Sequence, residues 1–153
     1  AMLGGIGGHA GLFSTAREVA IIFQMLTNKG TYGGKRYFKP ETVDKFTTYS
    51  SKISHRGLGF DKALPTDDNG GGAGDRWSAL TFGHQGFTGT CVWADPASGV
   101  VFVFLSNRVY PSGSNTKINK LSVRTTAQDY IYESLGIPIN TQRAEVYKVQ
   151  VGL

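Results

Sequence analysis

The stretch that decides the fold runs from Leu80 to Asn107 and reads LTFGHQGFTGTCVWADPASGVVFVFLSN. Two segments predict strands, Leu80 to Gly86 and Thr90 to Ala94. Asp95 to Gly99 predicts a turn, because its proline and glycine occupy positions that turn geometry favours. The continuous apolar run over 100–105 is typical of a strand buried on both faces. The stretch therefore predicts three consecutive antiparallel strands.

A helix is predicted upstream of this sheet. Thr15 to Glu18 fits a capping box, in which the threonine and glutamate satisfy free amides of the first helical turn. Asn28-Lys29-Gly30 is a typical helix end. Between these signals, four apolar residues recur at i, i+3, i+4 and i+7 and predict one inward stripe: Val19, Ile22, Phe23 and Leu26.

The other elements are shorter or less regular. Pro40 suits the first position of a second helix, with Val43 and Phe46 predicted to face inward. Gly57 to Phe60 predicts a short strand. A last helix is predicted over about Lys117 to Leu135, ended by Gly136 and Pro138, with these inward residues: Ile118, Leu121, Ile131 and Leu135.

The order of elements predicts an α+β fold, with helices packed on an antiparallel sheet of about three strands. Residues 1–136 are expected to form one partial domain. Residues 137–153 are expected to be a C-terminal tail, in which Tyr147, Val149 and Val151 alternate with polar residues as in an edge strand.

Composition excludes several classes of protein. The single Cys91 excludes an internal disulfide framework and a multi-cysteine zinc site. The histidines at 9, 55 and 84 lack metal-ligand spacing, so we expect no structural metal. No apolar run reaches the length of a membrane-spanning helix, and the glycine-rich start lacks the charged region of a signal peptide.

The net charge of +5 is confined to residues 29–62, which hold eight basic and three acidic residues. A basic surface attracts phosphates and other anions. These residues follow no nucleic-acid-binding motif, so a solvated surface is favoured and nucleic-acid binding is not expected. A basic adaptor that binds polyanions is the weakest of the functional hypotheses.

Three short motifs are not sufficient for a functional assignment. Gly5-x-Gly7-x-x-Ala10 matches a dinucleotide fingerprint, but the strand that this chemistry needs before it is missing. Gly71 to Asp75 is one residue short of a calcium-binding repeat, and a flexible surface loop over about 64–75 is favoured. Ser114 and Lys117 match S-x-x-K, where a lysine can activate a serine, yet capping of the following helix is favoured.

Five segments occur in an order that is informative as a set. They are GLFSTAREVA (11–20), KPETV (39–43), GLGF (57–60), HQG (84–86) with the glycine and Asp-Pro turns that follow it, and SN (106–107). The resemblance that they support extends over about residues 7–135. In this order they resemble landmarks of the serine β-lactamase and penicillin-binding-protein-like hydrolases, specifically the class C β-lactamase and esterase branch.

The resemblance implies roles for four residues and no cofactor. His84 of the H-x-G motif would stand where the lysine of the K-T-G motif stands, beside the substrate and the catalytic hydroxyls. Gln85 and Gly86 would contact substrate, with Gly86 allowing close approach of its backbone. The backbone amide of Phe87 would be one of two oxyanion-hole donors. The family also implies an extracytoplasmic location and a small-molecule or peptide-like substrate.

Two catalytic motifs of the family are not found in their usual places. No Y-x-N occurs in the sequence, and the S-x-x-K at Ser114 lies after H-x-G instead of before it. The chain is therefore expected to be the C-terminal part of a serine hydrolase domain and inactive alone, with the N-terminal half as its missing partner.

Self-association through the edge of strand 100–105 is expected unless the 147–151 tail covers that edge. A noncatalytic module appended to a larger enzyme, such as a family 3 glycoside hydrolase, is the alternative.

Overall fold

Antiparallel pairing organises the central part of the computed structural model, which describes residues 4, 7–8, 11–64, 72–140 and 142–152. The helices are α1 (Ala16–Thr27), α2 (Pro40–Thr47), α3 (Lys117–Lys120), α4 (Val123–Ser134) and α5 (Arg143–Val151). The strands are β1 (Thr31–Tyr32), β2 (Lys35–Arg36), β3 (Asp61–Lys62), β4 (Phe82–Gln85), β5 (Cys91–Asp95) and β6 (Val100–Phe104). The chain is α+β, as predicted.

The main sheet has the strand order β3-β4-β5-β6, and every neighbouring pair is antiparallel. The three predicted strands are confirmed as β4, β5 and β6, and β3 adds a fourth. The strand predicted at Gly57 to Phe60 is wrong, because pairing begins only at Asp61. Gly59 has φ +89°, a left-handed conformation that breaks an extended segment. Strand β6 is half-buried instead of buried, since it lies at the sheet edge.

Helix α1 begins with the predicted capping box. The Glu18 N–H donates to Thr15 Oγ1 at 3.3 Å, and the Thr15 N–H donates to Glu18 Oε2 at 3.0 Å. Phe23 faces the sheet, where its ring stacks on Phe82 with centroids 5.8 Å apart. Ile22 was predicted to face inward, but it is 53% exposed. Fewer residues of α1 therefore face the core than the apolar pattern predicts.

Helix α2 begins at Pro40, as predicted, and buries Val43. The prediction for Phe46 is wrong, because its side chain is 45% exposed. Thr47 is buried in its place and donates from Oγ1 to the Val43 carbonyl at 2.9 Å. Residues four apart share a helix face, so the buried pair is Val43 and Thr47.

The single helix predicted over Lys117 to Leu135 is two helices, α3 and α4. Ser122 separates them with φ +49°, which a continuous right-handed helix does not allow. The predicted inward residues Leu121 and Leu135 are 69% and 57% exposed, and Ile131 is 38% exposed. The buried residues of α4 are Gln128 and Tyr132, and neither was among the residues predicted to face inward.

The C-terminal tail is helix α5, so the predicted edge strand at 147–151 is wrong. Tyr147 packs edge-to-face on Tyr49 with centroids 5.1 Å apart, and its hydroxyl donates to the Ser51 carbonyl at 3.1 Å. Gln150 Oε1 accepts from the Tyr49 N–H at 3.1 Å. These contacts hold the tail beside α2 and its following loop, and the β6 edge is not covered by it.

Two cores lie on opposite faces of the main sheet. We call them the α1-side core (Phe23, Phe82 and Ala94) and the α4-side core (Ala63, Ala73, Trp77, Cys91, Trp93 and Tyr132). Alternate residues of β5 enter different cores, because side chains alternate across a strand. Gly83 lies opposite Trp93, and an added Cβ would lie 2.7 Å from the indole.

The loop predicted to be flexible over about 64–75 is well packed in its last residues. Gly72, Ala73 and Gly74 are buried. Gln128 of α4 donates to the Gly72 carbonyl at 3.1 Å and accepts from the Gly74 N–H at 3.0 Å. Residues 65–71, including most of that prediction and the first glycine of the calcium-like motif, lie outside the described residues, as does Ala10 of the dinucleotide-like motif.

A helix long and apolar enough to cross a membrane is not found in the described ranges. The same ranges contain no group of three or more histidine, cysteine, aspartate or glutamate residues that could hold a metal ion.

Candidate active-site wall

The four predicted site residues lie together at the end of β4 and in the turn that follows it. The Gly86 N–H donates to the Thr90 carbonyl at 2.8 Å, which continues the pairing of β4 with β5. The Gly89 N–H donates to the Gly86 carbonyl at 2.9 Å. Gly86 to Gly89 is therefore a hydrogen-bonded β-turn, with Phe87 as its second residue.

The other side of this end of β4 is open. Strand β3 pairs only with Phe82 and Gly83, so no described strand covers His84 and Gln85 on that side. Because Gly86 turns its N–H towards β5, alternation along the strand turns the N–H and C=O of Gln85 towards the open side. The open edge can accept an extended peptide by main-chain hydrogen bonding.

The N–H of Phe87 points out of the turn. The Gly86 carbonyl points into the turn, because it accepts from Gly89. In a planar trans peptide the carbonyl and the following N–H point in opposite directions. The Phe87 N–H therefore points outward, and no acceptor within the described ranges is bonded to it. The arrangement leaves a fixed backbone donor at the end of the open edge.

His84 lies on the same face of β4 as Phe82 and is exposed. Its Nδ1 lies 2.8 Å from the carbonyl of Gln85. A carbonyl only accepts, so Nδ1 carries the hydrogen. In the neutral ring Nε2 is then the acceptor, which leaves it able to take a proton from a neighbouring hydroxyl or amine.

Gln85 does not turn its side chain to the same side as His84. A Cβ at Gly72 would lie 2.6 Å from Trp93, and the Gln85 amide group occupies the same space above Gly72. The side chain is therefore packed against the α4-side core. The contact of Gln85 with substrate, expected from the resemblance, would have to use its backbone.

Glycine is required in the turn by contacts within the chain. A Cβ at Gly86 would lie 2.5 Å from Thr90 Oγ1. Gly89 has φ +96°, and its Cβ would lie 2.7 Å from Ser106 Oγ. That Gly86 admits substrate backbone stays a prediction; what the structure shows is that Gly86 leaves room for the Thr90 side chain.

Arg108 is a residue of this site that the sequence analysis missed. Its Nε donates to the Phe87 carbonyl at 2.7 Å, and its guanidinium lies 4.6 Å from the centre of the Phe87 ring. Its backbone N–H donates to the Thr88 carbonyl at 2.9 Å. The available signal was a basic residue directly after Ser106-Asn107, in the loop that follows β6.

Two side chains that could act as nucleophiles, those of Ser114 and Cys91, are engaged or buried. The Ser114 hydroxyl lies 2.8 Å from that of Ser112, and Asn115 Oδ1 accepts from the Lys117 N–H at 3.1 Å. The N-cap residue of α3 is Thr116, whose side chain makes no capping hydrogen bond, so the side-chain cap expected from this segment is not formed. Cys91 lies opposite Gln85, and burial raises the pKa of its thiol to about 11, which makes it a poor nucleophile.

Comparison with known proteins shows the family of the chain. A family model described as Beta-lactamase matches residues 1–126. Two relatives, from Salmonella enteritidis PT4 and Salmonella agona, carry D-alanyl-D-alanine carboxypeptidase as a provisional name and are each 38% identical to this chain over 120 residues. The match covers 76% of this chain. The chain therefore belongs to the β-lactamase family, a family of serine hydrolases.

The match covers 27% of each of these two relatives, so the chain spans about a quarter of their length. The expectation of a partial domain agrees with this coverage. The proposed boundary between residues 136 and 137 remains a prediction.

Proposed function

We propose that this chain supplies the H-x-G wall of a serine hydrolase active site that acts on peptide-like amides, esters or β-lactams through an acyl-enzyme. The outward N–H of Phe87, at the end of an open strand edge, is the observation that carries the proposal. The relatives named as carboxypeptidases favour an amide substrate with a peptide C-terminus. The nucleophile and its base would come from polypeptide outside these 153 residues.

In this mechanism the substrate lies along the open edge of β4. The backbone groups of Gln85 bind the extended substrate, and its scissile carbonyl oxygen meets the Phe87 N–H. When the serine attacks, that oxygen becomes an oxyanion, and a fixed donor aimed at it contributes about 3–4 kcal/mol to transition-state stabilisation. His84 is exposed beside this edge, and its Nε2 accepts or returns a proton during acyl transfer.

A peptide titration tests the role of the Phe87 N–H. An N-acetylated peptide ending in D-alanyl-D-alanine, added to the ¹⁵N-labelled chain, is expected to shift the amide resonances of Gln85 and Phe87. Phe87→Pro removes the N–H together with the ring and suits the second position of a turn, so binding is expected to be about tenfold weaker than in Phe87→Ala. Phe87→Ala is the matched control, because it removes the ring and keeps the N–H.

Two outcomes would contradict the proposal. One is a peptide that leaves the amides of β4 unshifted while the chain is folded. The other is found by intact mass after exposure to an acylating serine probe, with peptide mapping. The chain alone is expected to stay unlabelled, whereas an adduct on Ser114 would place the nucleophile inside this chain and downstream of the wall.

The proposal extends to location and partners. An extracytoplasmic location follows from the family resemblance. The main partner would be the segment that carries the nucleophile, and the edge of β6, which pairs with no further strand among the described residues, is where such a strand could pair. Without that segment, two copies of the chain are expected to associate through β6, so sedimentation should show a dimer. A monomer at every concentration would exclude self-association.

A further inference from the structure

Arg108 connects the candidate active-site wall to the loop that follows β6. We propose that Arg108 is a positioning residue, which holds the turn Gly86 to Gly89 so that the Phe87 N–H keeps its outward direction. The inference rests on the proposed function for its catalytic meaning, and on the contacts of Arg108 for its geometry.

Arg108 contacts two chain segments, the turn Gly86 to Gly89 and the loop before α3. On one side its contacts hold Phe87 and Thr88, through the bonds and the ring contact described above. On the other side Nη1 donates to the carbonyls of Asn115 at 2.7 Å and Gly113 at 3.3 Å. One planar guanidinium thus fastens the turn to the loop before α3.

Arg108 and Ser106 donate hydrogen bonds to the two central carbonyls of the turn, those of Phe87 and Thr88. Ser106 Oγ donates to the Thr88 carbonyl at 3.2 Å, beside the bond from the Arg108 N–H. With the Phe87 and Thr88 carbonyls fixed, the peptide planes on either side of Thr88 cannot rotate freely. The preceding plane, which carries the Phe87 N–H, is fixed by the bond from Gly89 to Gly86. The direction of the N–H depends on this whole set.

Arginine is suited to this position in a way that lysine is not. The guanidinium presents donors in a fixed fork and stacks on an aromatic ring, whereas an ammonium is a point charge on a flexible stem. Within the described ranges Arg108 forms no ion pair with a carboxylate. Its removal therefore leaves no acidic group without its partner.

Amide hydrogen exchange tests the inference without any ligand. In Arg108→Ala and in Arg108→Lys, the Gly89 N–H is expected to exchange about tenfold faster, because the turn opens locally. The Gly99 N–H is the matched internal control, since it closes the Asp95 turn with a 2.8 Å bond to the Asp95 carbonyl and does not contact Arg108. Its exchange rate is expected to stay unchanged.

Chemical rescue separates positioning from a general loss of stability. Millimolar methylguanidinium, added to Arg108→Ala, is expected to restore slow exchange at Gly89 and the wild-type resonance of the Phe87 N–H. Equal acceleration at Gly89 and Gly99, or wild-type exchange in Arg108→Lys, would overturn the inference. Because no peptide is present, its failure and that of the proposed function are distinguishable. A chain that fails to bind peptide can still show this coupling.

Discussion

Replacing Asp95 by alanine is expected to lower the free energy of unfolding by about 3–5 kcal/mol, because it leaves the buried Tyr132 hydroxyl and three partly buried donors without their shared acceptor. The carboxylate is 1% exposed and accepts four hydrogen bonds. Two come from Ser78, one from the Ala97 N–H at 2.9 Å, and one from the Tyr132 hydroxyl at 2.9 Å. Asp95 thus joins the β5–β6 turn to the loop before β4 and to α4.

Urea unfolding of the purified chain measures this effect. Asp44→Ala is the matched control, because the Asp44 side chain and its Lys29 partner are 49% and 53% exposed. The control is expected to lose less than about 1 kcal/mol. If Asp95→Ala lost no more stability than Asp44→Ala, the network around Asp95 would contribute nothing to folding.

Replacing Lys62 by methionine is expected to stabilise the chain by about 1–3 kcal/mol at pH 6, after allowance for the hydrogen bond that is lost. Lys62 is 1% exposed. Its Nζ donates to the Leu80 carbonyl at 3.1 Å and lies 5.0 Å from the centre of the Tyr49 ring. Burial lowers the pKa of Lys62 from 10.5 to about 7, although the charge of Asp95 acts in the opposite direction.

The pH dependence of stability provides the sharper test for Lys62. Between about pH 7 and pH 10.5 the unfolded chain holds a proton on Lys62 that the folded chain has lost. Wild-type stability therefore rises with pH across this window, and below pH 7 the full cost of a buried charge remains. Urea unfolding at pH 6 and pH 9 is expected to show a smaller advantage of Lys62→Met at pH 9. Lys39→Met is the exposed control, and an advantage independent of pH would contradict the assigned cause.

Local signals were sufficient for the regular parts of the fold. The capping box of α1, the proline that begins α2 and the turn at Asp95 each depend on a few adjacent residues. The errors occurred where packing with distant residues decides the structure. The left-handed Ser122 has no sequence signature of its own, and the alternating tail forms α5 because it packs on Tyr49 and the loop after it.

The candidate site was predictable only in part, for the same reason. The motif singled out the segment from His84 to Phe87, and the structure places these residues together at one open edge, but their roles stay predictions. Arg108 was missed because its acceptors are backbone carbonyls, which any sequence can supply, and only the fold brings them together. Lys62 was counted among the surface charges, because nothing in the sequence distinguishes a buried lysine from a solvated one.

The two faces of strand β4 pack against two separate cores, so substitutions in one core and in the other affect different parts of the candidate site. Substitutions in the α1-side core would tilt the face that carries His84 and leave the packing of Gln85 in place. Substitutions in the α4-side core would move the backbone of Gln85 through Trp93 and Gly72. The side chain proposed to transfer a proton and the edge proposed to bind a peptide therefore depend on different sets of core residues, none of which would contact a substrate.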